Sequence, residues 1–195
     1  MKPSDDTIKN GTHCRSPCPA LNILANHSYI DNDGKNLTID KITNAVNEVF
    51  GVSKSITKLG LYITKYRCKL KENFTLADIS IHNGMEHDVS LFHDDVSKNP
   101  KYHQVSTKAV DDFIDIANQQ DANKFFTKET IENHYNNRLA ISKKTESFYY
   151  GWFQLFVSFF ERYLLYNVLV KSHKIEDLKT IILEEKLPDD HINVN

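Results

Sequence analysis

The tightest constraint on this chain lies between Ser16 and Asp33, SPCPALNILANHSYIDND, at a cysteine flanked by two prolines. A proline fixes its own φ near about −65°, lacks a backbone donor and restricts the residue before it. Cys18, between Pro17 and Pro19, therefore has little backbone freedom. Pro19 to His27 reads as a helix. Proline is favoured at the first helical position, which makes Cys18 the N-cap, with its sulfur facing the N–H groups of the first turn. The positive helix end and its amide donors favour thiolate over thiol, the form that attacks electrophiles and binds metals. Cys18 is thus a preorganised soft ligand or nucleophile, set against the plainer reading of a small buried hydrophobe.

A chain of 195 residues suits one domain, large enough to bury a core and a cofactor. With a net charge of −2 and both signs interspersed, it offers no nucleic-acid surface. Cys14, Cys18 and Cys68 make neither a disulfide framework nor a zinc spacing. Cys14 reads as a bystander, with pairing to Cys68 or to another chain as the alternatives. The start, MKPSDDTIKN, has no apolar core of a signal peptide, so a cytoplasmic location is expected. Secretion is the alternative. The sequons at Asn10, Asn26, Asn36 and Asn73 point that way but arise readily in an Asn-rich sequence.

Helical spacing dominates. Thr38 to Phe50 carries Ile39, Ile42, Val46, Val49 and Phe50 and closes at Gly51; Ser53 reads as the cap of a helix to Cys68 with Ile56, Leu59, Ile63 and Tyr66 on one face. Thr75 and Asp78 form a capping-box pattern before Leu76 to Ile81, and Asn83-Gly84 and Asn99-Pro100 break the chain. Ser106 to Gln119, Thr127 to Lys143 and Ile175 to Glu185 read as scaffold helices. No alternating strand pattern competes, so the fold class is all-α. Residues 1–15 read as a polar N-terminal arm.

Two stretches carry further chemistry. The run NGMEHDVSL places Glu86, His87, Asp88 and Ser90 together just after a break. Carboxylates, hydroxyls and carbonyls suit Mg²⁺ or Mn²⁺, although such clusters are common on solvated surfaces. The second is Phe148 to Val170, the most apolar part of the chain. Gln154, Glu161, Arg162 and Asn167 interrupt it, and each charge at mid-bilayer costs about 2.5–3.5 kcal/mol, so it reads as a buried central helix rather than a membrane span. Its aromatics, including Trp152, Phe156 and Phe160, read as core or pocket wall. A carboxylate at Glu161 is costly to ionise in such surroundings unless paired, which suits it to proton exchange near neutral pH. The competing reading is a short exposed stripe with Arg162.

PCPALNILANH followed by Tyr29, then Glu86-His87-Asp88 with Ser90, then Glu161 ahead of Glu184 to Pro188, resembles the haem-thiolate peroxidases, the family of the chloroperoxidases and unspecific peroxygenases, in their short form. The resemblance runs from about Pro17 to Pro188 and implies a single-domain helical bundle enclosing haem b over residues 16–190. It implies Cys18 as the axial iron ligand. Glu86 and Ser90 side chains and the His87 carbonyl would bind Mg²⁺ or Mn²⁺ near a haem propionate. Glu161 would be the acid–base catalyst, with the His87 imidazole orienting it, and Asp88 would hold the loop. The implied activity uses hydrogen peroxide to form a ferryl oxidant that oxidises or oxygenates small apolar or aromatic substrates. Halide oxidation, haem binding with little turnover, and a cofactor-free helical interaction module are the alternatives; a homodimer is the expected assembly. Asn26 and His27 read as braces for the ligand loop, and the other histidines, apart from His87, as surface. Seven positions depart from the family pattern while Gly34 keeps it: Ser28 and Phe160 replace glycines, Ile30, Asp31 and Asn32 replace a Leu-Pro-Arg-like turn, and Phe92 and His93 replace a Ser-Arg pair.

Overall fold

A computed structural model describes residues 11–99, 104–121, 123–145 and 148–188. Asn10, Pro100, His103, His191 and the first ten residues of the expected polar arm lie outside them. Among the described residues the structure is all-α, with isolated bridges and no strand. They group into two compact units, one formed by the chain up to Glu86 together with the stretch from Glu184, the other by His87–Leu183.

In the first unit α1 is Pro19–Asn26, α2 Ile39–Phe50 and α3 Lys54–Cys68, followed by a 3₁₀ turn at Leu76–Ile79. The local signals are the expected ones. Thr38 Oγ1 accepts from Lys41 N at 3.2 Å, Gly51 closes α2 in the left-handed region, and Thr75 and Asp78 cap each other reciprocally. α2 packs on both α1 and α3, and Ile23, Leu24, Leu37, Ile42, Leu76 and Ile79 are fully buried.

α3 turns a different face inward from the one its apolar spacing suggests. Ile56, Leu59 and Tyr66 are exposed, while Leu61, Thr64 and Cys68 are buried. Two stripes at helical spacing compete on this helix, and long-range packing selects between them. Cys68 lies directly against Gly84, where a Cβ would run into its sulfur, and Arg67 Nε donates to the Asn83 carbonyl at 2.6 Å. Burial pushes the Cys68 thiol up from its ordinary value, keeping it a neutral packing group.

The second unit contains α4 (Thr107–Gln120), α5 (Lys128–Ser142), α6 (Trp152–Leu164) continuing through a π-helical turn at Leu165–Leu169, and α7 (Ile175–Ile182). α4 and α5 pack together around an edge-to-face cluster in which Phe113 meets Phe92, Phe126 and His134 at centroid separations of 5.3–5.5 Å.

The aromatic segment is shorter and more exposed than expected. Phe148–Tyr150 precede the helix, and Gln154 Oε1 accepts from Gly151 N at 3.0 Å at its start. Phe153, Gln154 and Ser158 face inward, whereas Trp152 is 81% exposed and Leu155, Phe156, Phe159 and Tyr163 are also exposed. When a helix is apolar nearly all round, pattern alone does not say which side packs. Among the described residues no helix is long and apolar enough to cross a membrane.

Candidate active site

The cysteine loop belongs to the first unit. Cys18 takes the N-cap position of α1 in an extended conformation, with Pro19 opening the helix, but its side chain makes no capping hydrogen bond. The loop is fixed through Ser16 instead. Cys18 N donates to Ser16 Oγ at 3.2 Å. Ser16 N donates to Asn22 Oδ1 at 2.8 Å, and Asn22 Nδ2 returns a 2.8 Å bond to the Ser16 carbonyl. Asn22 therefore clamps both backbone groups of the residue two before the cysteine onto the helix that follows it. Its remaining amide hydrogen goes to Glu185 Oε1 at 2.6 Å.

One turn on, Asn26 Oδ1 accepts from Arg15 Nε and Nη2 at 3.1 and 2.7 Å while its Nδ2 donates to the Glu185 carbonyl at 3.1 Å. His27 Nε2 accepts from Leu187 N at 3.3 Å. Asn26 and His27 are thus the braces the sequence suggests; Asn22 and Glu185 are the braces it hid. Glu185 was expected inside the last helix, yet α7 ends at Ile182 and Glu185 sits at φ +52°. Burial pulls the Arg15 guanidinium down from its ordinary value, with the Glu185, Cys14 and Asp33 charges opposing.

The exit of α1 explains one family departure. Ser28 stands at φ +62° directly after the helix, with its N–H on the Ala25 carbonyl at 3.2 Å and Tyr29 N on the Leu24 carbonyl at 2.9 Å. That is the left-handed C-terminal position where glycine is favoured. Gly34, which matches the pattern, is needed for its own reason: its φ is +70°, and a Cβ would run into the Cys14 carbonyl.

The second unit brings together Glu161, Ser90 and His87. Glu161 Oε1 accepts from Ser90 Oγ at 2.8 Å and Leu91 N at 3.1 Å, and Oε2 lies 3.3 Å from Leu91 N. The Glu161 side chain is 26% exposed, so it is neither sealed in an apolar core nor unpaired. His87 Nδ1 bonds the Asp88 carbonyl at 2.8 Å. A carbonyl only accepts, which assigns the proton of the neutral ring to Nδ1. His87 Nε2, 4.0 Å from Glu161 Oε2, then acts on the carboxylate as a charge when the ring is protonated, and not as a hydrogen-bond donor when it is neutral.

What holds this loop is α5, which the sequence offered only as scaffold. Thr130, His134, Arg138 and Ser142 recur every four residues and are all buried, so the inward face of α5 is polar. His134 Nε2 donates to the Leu91 carbonyl at 2.8 Å, and Arg138 Nε to the Ser90 carbonyl at 3.1 Å. Arg138 Nη2 also bonds the His93 carbonyl. Burial pulls His134 down from its ordinary value, which suits a neutral ring donating to a carbonyl. Ser142 Oγ donates to Asp95 Oδ2 at 2.6 Å, and Val89 N donates to Asp95 Oδ1 at 3.0 Å. Burial opposes the ionised form of Asp95, but Ser142, Val89 N and Lys98 outweigh it and hold this carboxyl below the usual range. Val89, buried and β-branched, stands at φ +68°, a strain that the bond to Asp95 helps sustain. His93 and His134, read from the sequence as surface, are both buried. The regular polar stripe on α5 was the signal that could have found His134.

Two of the oxygens the resemblance assigns to a divalent cation have partners within their own units. Glu86 Oε2 takes His82 Nδ1 at 2.7 Å in the first unit, and Ser90 Oγ serves Glu161 in the second. Among the described residues no three or more His, Cys, Asp or Glu side chains gather as a metal cluster. No step is derived through a cation. The sulfur that the resemblance assigns to a haem fits such a role: it is partly exposed, at the positive end of an eight-residue helix, on a loop fixed from both sides.

An all-α protein with a proline-clamped thiol and a separately braced carboxylate defines a narrow class. The family described as "Peroxidase, family 2" matches residues 7–194, and the chain belongs to that family. Among its relatives, the chloroperoxidase of Leptoxyphium fumago is 28% identical over 152 residues, covering 73% of this chain and 40% of its own length. The chain thus spans less than half of that relative.

Proposed function

We propose that the chain is a haem-thiolate peroxidase in which the Cys18 sulfur would hold the haem iron and Glu161 would move the proton of hydrogen peroxide. The observation that carries this reading is the meeting of Glu161 with Ser90, 71 residues apart in sequence, with His87 alongside. The family membership adds independent support. When bound, the haem supplies the redox chemistry, with the sulfur donating electron density that favours O–O cleavage. The protein's own share is positional. Ser90 Oγ and Leu91 N hold Glu161 Oε1, which leaves the more weakly held Oε2 to take the peroxide proton and return it to the departing oxygen. His87 biases that carboxylate electrostatically once protonated.

Small apolar or aromatic substrates and oxygen transfer to them rest on the family resemblance, since Trp152, Phe156 and Phe159 lie on the opposite side of α6 from Glu161. Halide oxidation is the second reading, favoured by the name of the chloroperoxidase relative. The test is the ferrous–CO spectrum of haem-loaded protein. The wild type should give the strongly red-shifted Soret band of thiolate ligation and Cys18→Ala should lose it; a wild type without that band refutes the ligand assignment. Glu161→Ala should keep the band and lose peroxide reactivity.

A further inference from the structure

Resting on the ligand assignment just made, we infer that Glu185 is a positioning residue for the Cys18 loop, acting through Asn22 by the reach of its carboxylate rather than by its charge. Asn22 is an amide whose two ends look alike in shape, and the clamp on Ser16 works in one orientation only: Oδ1 toward Ser16 N and Nδ2 toward the Ser16 carbonyl. A carboxylate can only accept. By placing Oε1 2.6 Å from Asn22 Nδ2, Glu185 requires the nitrogen on its own side and so selects the orientation that clamps Ser16. Ser16 Oγ in turn accepts from Cys18 N at 3.2 Å and has its own proton between Asn22 Oδ1 at 3.2 Å and the Cys18 carbonyl at 3.3 Å, which hands the constraint to the cysteine.

The arrangement is built for this. Asn22 and Glu185 are 2% and 7% exposed, and Glu185 uses its carbonyl as well, on Asn26, one helical turn from Asn22. Its own backbone stands in the left-handed region at φ +52°, which a non-glycine residue adopts at a cost. The chain accepts that cost where the bonds to α1 require it. A carboxylate 163 residues from Asn22 in sequence thereby sets the seat of the sulfur.

The experiment compares two variants that separate reach from charge. Glu185→Gln keeps an acceptor at the same distance and drops the charge. Glu185→Asp keeps the charge opposite Arg15 and withdraws the oxygen by one methylene. Each haem-loaded protein is matched for haem content and reduced under CO. Glu185→Gln should retain the red-shifted band, whereas Glu185→Asp should convert more than half of it to the shorter-wavelength form that lacks thiolate. In the haem-free proteins, iodoacetamide labelling of Cys18, followed by mass spectrometry with Cys14 as internal reference, should accelerate several-fold in Glu185→Asp alone. Any pattern in which Glu185→Asp keeps the band or Glu185→Gln loses it overturns the inference. A wild type lacking the band refutes the ligand assignment instead, and the labelling ratio then decides the Glu185 claim by itself: equal rates in all three proteins overturn it.

Discussion

Replacing Ser90 by alanine removes the shortest bond to Glu161, Ser90 Oγ to Oε1 at 2.8 Å, and leaves Leu91 N as the donor at 3.1 and 3.3 Å. A hydrogen bond to a charged acceptor contributes about 1.5–3 kcal/mol. Because the Glu161 side chain is 26% exposed, water replaces part of the loss, and about 1–2 kcal/mol of positioning remains. At 1.36 kcal/mol per factor of ten, the rate constant for peroxide should fall about 5- to 30-fold. Stopped-flow mixing of haem-loaded protein with hydrogen peroxide measures it, with Ser90→Thr as the variant that keeps a hydroxyl and should stay close to the wild type. The same series run with and without Mg²⁺ or Mn²⁺ separates the two roles offered for Ser90. A donor to Glu161 predicts the same deficit at every cation concentration. A Ser90→Ala protein that matches the wild type once Mg²⁺ or Mn²⁺ is saturating would make Ser90 a cation ligand and refute the reasoning.

Ser28→Gly removes a side chain from an exposed position at φ +62°. The left-handed conformation costs a non-glycine residue about 1–2 kcal/mol, and the extra freedom of glycine in the unfolded chain returns about half of that. Thermal unfolding should therefore rise by roughly 1–4 °C; a fall would place a stabilising contact on the serine that the geometry does not show. His134 gives the pH dependence. Its ring is pulled below the ordinary 6.5 by burial, with Arg138 and Lys108 adding to the shift and the Leu91 carbonyl and Asp112 opposing it. The unfolded chain therefore takes up a proton that the folded chain resists. Its stabilising contribution is complete above pH 6.5 and is lost as the pH falls below that value, at up to about 1.4 kcal/mol per pH unit. Urea unfolding from pH 8 to pH 5 should show a steeper loss for the wild type than for His134→Gln; parallel curves would remove His134 from the account.

Local features were legible in the sequence because their causes are local. Pro17 and Pro19 restrict Cys18, Thr75 and Asp78 cap one turn, and Gly51 ends α2 where the next backbone step is left-handed. The pairing of Glu161 with His87 and Ser90 was reachable only through the family resemblance. Nothing in the spacing of residues 71 apart requires that Ser90 meet Glu161. The choice between competing faces was not legible on α3 or α6. Ile56 and Leu61, or Phe153 and Phe156, are equally apolar, and Gly84 against Cys68 tips only the first helix.

The sequence by itself determined an all-α chain, a conformationally restricted thiol at a helix start, and membership of a peroxidase family. Those follow from interactions spanning one or two turns, or from motif identity. The tertiary structure decided which polar groups brace the candidate residues: His134 and Arg138 beneath the loop that presents Ser90 to Glu161, and Glu185 and Asn22 behind Cys18. A buried polar side chain has to satisfy its hydrogen bonds wherever the fold brings a partner, and that partner's place in the sequence carries no mark of the meeting.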